Sequence, residues 1–228
     1  MLNKMNILIK ASFLQLRLYL YIILGIIVVN ILVQFIVGQF AGSGDNTNVS
    51  SGNMLLIILI CMAVVLPVSF YKRIINLGAS RKEYYTGLIT IYTMWSALFA
   101  LFNIVWLKLE IGFIRDYYNT LNILEVFHWD QFGLAGMFLY QFGTYMLLAS
   151  LLNLLFSSLR HVAGWIIWVV LIAAIPIGTS IASLRVKVAD GFLTLLFNDS
   201  LLQGFGLTFL LSCLFLAGGW WFTKRRTI

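Results

Sequence analysis

The chain has 228 residues, 61% hydrophobic and only 10% charged, with a mean hydropathy of +0.97. A water-soluble domain of this size does not cover its surface with so few charges, which excludes a soluble enzyme and points to a membrane-embedded chain. The formal net charge of +7 lies at the ends of apolar stretches, so it does not signal nucleic-acid binding. Six apolar stretches follow one another, at residues 18–40, 54–71, 87–107, 132–157, 162–184 and 201–222. Each is near the ~20 residues that cross a bilayer as a helix. The short connections predict one all-α transmembrane domain over residues 1–228, with no soluble and no nucleotide-binding domain.

Ahead of the first stretch, Asn3, Asn6, Lys10 and Arg17 fall on one side of a helix, with Ile7, Leu8, Phe13, Leu14 and Leu16 on the rest. That pattern predicts an amphipathic helix lying in the interface, because two cations drawn into the first span would have to snorkel. The alternative is a plain extension of that span. The connector 41–53 is rich in Gly, Ser and Asn and reads as a flexible loop. Pro67 and Pro176 each interrupt an apolar stretch and predict kinks, since proline removes a helical hydrogen bond. In residues 110–130, Phe113, Ile114, Tyr117, Tyr118, Leu121 and Leu124 recur at helical spacing opposite Arg115, Asp116, Asn119, Asn122 and Glu125. A short amphipathic helix lying against the outer leaflet or capping the bundle is expected there. In residues 185–204 a polar start precedes the apolar run 191–197, too short to span and suited to a re-entrant or interfacial turn of helix. Trp106, Trp129, Trp220 and Trp221 near span ends fit rings in the headgroup layer. Cys61 and Cys213 fall within spans and read as small hydrophobes.

Basic residues assign the orientation. Eleven of the 15 Lys and Arg flank alternate ends: Lys4, Lys10, Arg17; Lys72, Arg73, Arg81, Lys82; Arg160; and Lys224, Arg225, Arg226. The opposite segments hold Lys108, Arg115, Arg185 and Lys187, together with every acid except Glu83. The positive-inside rule then predicts that both termini are cytoplasmic, in a multi-pass protein of the cell membrane.

No carboxylate, lysine or arginine lies near the middle of any predicted span. Such groups are expensive in lipid and usually mark ion or proton paths, so a proton-coupled carrier is disfavoured. A sodium site built from carbonyls and hydroxyls stays compatible. There is no G-x-x-x-x-G-K-[ST] loop for ATP phosphates. His128 and His161 lie on opposite sides, leaving no shared metal site, and no Ser/His/Asp or paired-acid arrangement offers catalytic residues. Polar groups inside the spans are Asn30, Gln34, Asn103, Gln141, Thr144, Tyr145 and Asn153. They serve either as inter-helix hydrogen bonds or, for Asn30, Gln34, Asn103, Gln141, Tyr145 and Asn153, as a substrate path.

The most informative local motif joins the second and third spans: Leu77-Gly78-Ala79-Ser80-Arg81-Lys82-Glu83-Tyr84-Tyr85. Gly78 permits a left-handed turn, and Ser80 with Glu83 three residues later forms a capping box. A short helix across the cytoplasmic face, presenting Arg81 and Lys82, is the expectation. This stretch, the six-span layout and the segment before the first span resemble the permease subunits of ABC-2-type transporters, particularly the short permeases of Gram-positive bacteria. The resemblance implies that Gly78, Ser80, Arg81, Lys82, Glu83 and Tyr84 form a coupling helix docked on a separate ABC ATPase. ATP and Mg would then belong to that partner, and this chain would carry no cofactor and no enzymatic activity. A second permease subunit, identical or not, is implied as well. The expected role is export of an amphipathic or hydrophobic substrate such as a peptide, toxin or drug. A non-transporting sensor or assembly scaffold, or a stand-alone channel or secondary carrier, are the alternatives.

Overall fold

The computed structural model describes residues 2–41, 48–115 and 119–226, the side chains of residues 2–6, 34–35 and 37–41 excepted. The described chain is almost wholly helical, and six of its helices are long and apolar enough to cross a membrane. They fit a multi-pass membrane protein.

Helix α1 (Leu2–Ala41) runs for 40 residues without a break. The separate interfacial helix expected before the first span is therefore absent. Nothing between Lys10 and Leu18 stops a helix: there is no proline, glycine or capping turn. At about 1.5 Å per residue α1 is roughly twice as long as a bilayer core is thick. Asn3, Lys4 and Asn6 have side chains outside the described residues. Leu8, Ser12, Leu16, Ile23 and Ile27 form the buried stripe of α1.

The second span opens with a 3-10 turn, Ser51–Met54, and continues as α2 (Leu55–Val65). A π-helical turn, Leu66–Phe70, then leads into α3 (Tyr71–Asn76). Pro67 explains that turn. Its ring crowds the preceding turn and it has no N–H, so the helix widens, and Tyr71 N–H bonds to Leu66 O five residues back. Gly78, at φ +87°, reverses the chain where a residue with a Cβ is strained. Ser80 then caps α4 (Arg81–Leu109), its Oγ accepting from Glu83 N–H while the Glu83 carboxylate accepts from Ser80 N–H at 2.9 Å. The capping box is present, but the helix it starts is the third span itself. A distinct crosspiece helix between spans two and three is not formed, because only Leu77-Gly78-Ala79-Ser80 separate α3 from α4.

Helix α4 passes into a second π-helical turn, Glu110–Ile114. Residues 116–118, with Asp116, Tyr117 and Tyr118 of the expected amphipathic helix, lie outside the described residues. Beyond them the chain forms a two-residue strand β2 (Thr120–Leu121), a single turn α5 (Ile123–Val126) and a 3-10 turn, Trp129–Phe132. Strand β1 (Asn48–Val49) pairs with β2 in parallel. The expected continuous amphipathic helix gives way because Asn122 caps α5, accepting from Leu124 N–H, and β2 bonds to β1 instead.

Helix α6 (Gly133–Ser158) is the central element, packed by α2, α4 and α9 (Leu201–Arg225). Small residues on its seam with α9, Gly143, Gly204 and Gly219, meet side chains of the facing helix and let the two backbones approach. Helix α7 (Val162–Ser180) ends at Ile181, whose backbone is extended, and α8 (Ala182–Leu196) follows at once. The fifth span is thus shorter than residues 162–184. The expected short turn at 191–197 is the end of a 15-residue helix that also holds Arg185, Lys187 and Asp190. Helices α7 and α8 are exposed almost throughout. Cys61 and Cys213 are free, half-buried and exposed respectively.

Candidate functional site

The four basic segments meet at one end of the bundle. Arg73 of α3 donates to Gln15 of α1. Arg81 Nη1 donates to Lys224 O at 2.5 Å, joining the start of α4 to the end of α9. His161, between α6 and α7, is hydrogen-bonded to Phe222 O at 3.1 Å. Arg226 is buried: its Nη1 donates to Pro67 O at 2.5 Å, and its guanidinium lies 4.3 Å from the Tyr71 ring centroid. Burial first, and Arg160 second, lower the Arg226 pKa from its usual value. The π turn makes this clamp possible. By shifting the Tyr71 N–H from Pro67 O to Leu66 O it leaves Pro67 O for Arg226, while Leu66 O accepts from Tyr84 Oη–H (3.0 Å) as well as from Tyr71 N–H.

Of the residues that the sequence grouped for coupling, Gly78, Ser80, Arg81 and Lys82 are exposed at the turn, and Glu83 is half-buried beside them. Tyr84 is not with them. It is buried, edge-on to Tyr71 at 5.0 Å, and bonded to Leu66 O, so its place is inside the bundle. Two grooves flank the turn. One of about 240 Å³ is lined by Ile7, Leu8, Ile74, Leu77, Gly78, Ala79 and Glu83. The other, of about 340 Å³, is lined by Lys82, Tyr85, Thr86, Ile89, Leu216, Ala217 and Trp220.

The opposite end carries a buried polar network. Glu110 is 1% exposed, although its sequence position suggested a solvent-facing loop. Glu110 continues the regular ladder of α4, its N–H bonding to Trp106 O, and so stays on the buried face of that helix. Its Oε1 accepts from Ser50 Oγ–H at 2.7 Å and from Trp106 Nε1–H at 2.7 Å. Asn122 Nδ2 donates to Ser50 Oγ (3.1 Å) and to Asn103 Oδ1 (3.1 Å), and Asn103 Nδ2 returns a bond to Asn122 Oδ1 (3.3 Å). Ser51 Oγ reaches Asn30 Oδ1 at 3.4 Å. Gly52 is required at the centre: a Cβ there would lie 2.2 Å from Asn103 Oδ1 and 2.9 Å from Trp106 Cδ1. Glu110 Oε2 is buried and has no hydrogen-bond partner among the described residues. Arg115, whose charge acts on Glu110, is held by both Glu125 oxygens. That hydrogen bonding first, and the charges of Glu125 and Glu110 after it, raise the Arg115 pKa against partial burial.

The polar residues considered for a substrate path with described side chains stand at different levels of the bundle. Asn103 belongs to the Glu110 network, and Asn30 accepts from Ser51 beside it. Gln141 Nε2 donates to Tyr145 Oη at 2.7 Å in mid-bundle, and Gln141 Oε1 has no partner among the described residues. Asn153 Nδ2 donates to Tyr85 Oη (3.3 Å) nearer the basic end, and the Gln34 side chain lies outside the described residues. Trp129 also departs from expectation. It is fully buried, donates to Leu196 O at 2.8 Å and stacks on Tyr140, so it anchors α8 instead of sitting among headgroups.

Ser50, Trp106, Glu110 and Asn122 were missed as a group by sequence reasoning. One signal was available. Tyr85, Tyr92, Ser96, Asn103 and Glu110 are spaced by seven, four, seven and seven, one face of a 3.6-residue helix. All five are buried, so the stripe extends to Glu110 if α4 is continued past Leu107. Comparison of the chain with protein-family models, curated proteins and solved structures returns no match.

Proposed function

We propose that the chain is the permease subunit of an ATP-driven exporter, with its basic end on the cytoplasmic side and a separate ABC ATPase docked there. The supporting observation is the capped turn at the start of α4. Exposed Arg81 and Lys82 stand there between two grooves, on a helix whose continuation reaches the far end of the bundle at Ile114. A push at such a turn enters the third span directly, and no separate crosspiece is required. Arg81 and Lys82 supply the charge for an acidic ATPase surface, and the grooves supply apolar area. Two permease chains would pair with two ATPases, and ATP-driven closure would shift the bundles between two access states. The apolar bundle suits an amphipathic or hydrophobic cargo such as a peptide, toxin or drug.

The experiment is co-purification from membranes with an ATPase encoded nearby, for the native chain and for Arg81→Glu with Lys82→Glu. The native chain is expected to retain the ATPase, and the double variant to lose it while keeping its thermal stability. Retention by the double variant, or solute movement by the purified chain in liposomes without any nucleotide, overturns the reading. The latter result would make the chain a stand-alone carrier.

A further inference from the structure

One of the two grooves at the basic end is walled on both sides by membrane spans. It is the one of about 340 Å³, with Tyr85, Thr86 and Ile89 of α4 on one side and Leu216, Ala217 and Trp220 of α9 on the other. Two hydrogen bonds hold the walls together. Tyr85 Oη donates to Leu216 O, and Arg81 Nη1 donates to Lys224 O at 2.5 Å. The Tyr85 and Trp220 rings meet at 5.3 Å. The hydroxyls of the floor are engaged already: Tyr85 Oη also accepts from Asn153, and Thr86 Oγ1 donates to Lys82 O at 2.9 Å. What the groove offers a ligand is therefore chiefly hydrocarbon and aromatic surface.

Its mouth is positive. Lys82 lines it, and Lys224 and Arg225 follow Trp220 at the end of α9. All three cations are exposed. None has a carboxylate partner among the described residues, where the ion pair is Arg115 with Glu125 at the other end. Arg225 lies over the Trp221 ring at 4.1 Å, an indole–cation pair suited to the headgroup layer. From Lys82 the groove runs inward to Ile89, about 10 Å along α4, within the spanning segments. The ligand that matches this order has an anionic head followed by hydrocarbon. A free phosphate would leave the apolar walls bare, and a zwitterionic lipid would bring its own cation to a cluster of cations. Basic recesses between spans are where anionic headgroups are held. We propose that the groove between α4 and α9 binds one anionic glycerophospholipid, its phosphate at Lys82 in the field of Lys224 and Arg225, and an acyl chain along Tyr85, Ile89 and Leu216.

Such a lipid covers the seam where the third span begins and the last one ends, and supplies the counter-charge that the chain lacks there. The inference does not rest on ATP coupling. The other groove of the turn, at Ile74, Leu77 and Ala79, is left for a protein partner.

The test uses the full chain in a nonionic detergent, without any ATPase. Phosphatidylglycerol and phosphatidylcholine with matched acyl chains are added at equal concentration, and bound lipid is counted by native mass spectrometry. The native chain is expected to retain phosphatidylglycerol saturably, about tenfold in preference to phosphatidylcholine. Lys82→Gln is expected to reduce that preference about fivefold. Ala217→Phe fills the groove while keeping every charge, and is expected to lose the retained lipid. Lys108→Gln, at the far end, is expected to bind as the native chain does. All three substitutions are at exposed positions, and thermal unfolding checks that each variant folds. Should Lys82→Gln fail to fold, Lys224→Gln takes its place with the same expectation. A native chain without preference overturns the proposal. So does a preference undiminished in Lys82→Gln, or lipid retention undiminished in Ala217→Phe.

Discussion

The two π-helical turns make an instructive pair. Leu66–Phe70 lies at the basic end and Glu110–Ile114 at the other. Each widens a spanning helix by one residue. At the first turn Pro67 O loses its place in the ladder, and Arg226 donates to it while Tyr84 donates to Leu66 O. At the second a carboxylate stands at the head of the turn, on the face that regular α4 geometry already buries, and is bonded on one oxygen only. The first reads as a clamp that holds α2, α4 and α9 together. The second leaves Glu110 Oε2 buried without a partner among the described residues. The lesson is that the same backbone device sits in very different polar surroundings at the two ends of one bundle.

The contrast is most easily broken at Glu110. Replacing it with Leu strands Ser50 Oγ–H and Trp106 Nε1–H inside the bundle, expected to cost about 3 kcal/mol, read as thermal unfolding in detergent. Glu110→Gln should cost far less in the same medium. If the two variants unfold alike, the acceptor role assigned to Oε1 is wrong. At the opposite turn Arg226→Met leaves Pro67 O unpaired and removes the contact with Tyr71. A loss of about 2 kcal/mol is expected, read by the same thermal unfolding; an unchanged melting temperature would show that the Arg226 clamp holds nothing.

Smaller effects sharpen the comparison. Ser80→Ala removes the capping box and should cost about 1 kcal/mol, seen as faster amide exchange over Arg81–Tyr84 while the Glu110 end stays protected. Protection lost equally at both ends would mean that α4 opens as one unit. The smallest effect is expected from Glu125→Gln. Its pair with Arg115 leaves both side chains about 30% exposed, so a loss of about 0.5 kcal/mol is expected. A loss several times larger would make Arg115 a counter-charge for Glu110 after all.

Much of this architecture was legible in residue order. Hydropathy integrates over ~20 residues the free energy of placing side chains in lipid, so the six spans appear with only their ends displaced, as at Ser180. Local rules worked as well: Gly78 reverses the chain and Ser80 with Glu83 caps the next helix, because a turn or cap is decided by residues within hydrogen-bond reach along the chain. The same locality misled where helix starts were concerned. The cap was read as the start of a short transverse helix, yet α4 simply continues, since nothing after Tyr85 ends it.

What only the tertiary structure decided is which polar groups are satisfied. Glu110 looked like a loop acid because the first candidate end of the span comes at Leu107. Its partners lie up to 60 residues away in sequence, with Asn122 a further link 72 residues from Ser50. Tyr84 looked like a surface residue for the same reason, its acceptor being the Leu66 carbonyl of another span. Periodicity tells which face of a helix is buried. The partner met on that face depends on how distant segments converge, and that is set by packing of the whole bundle.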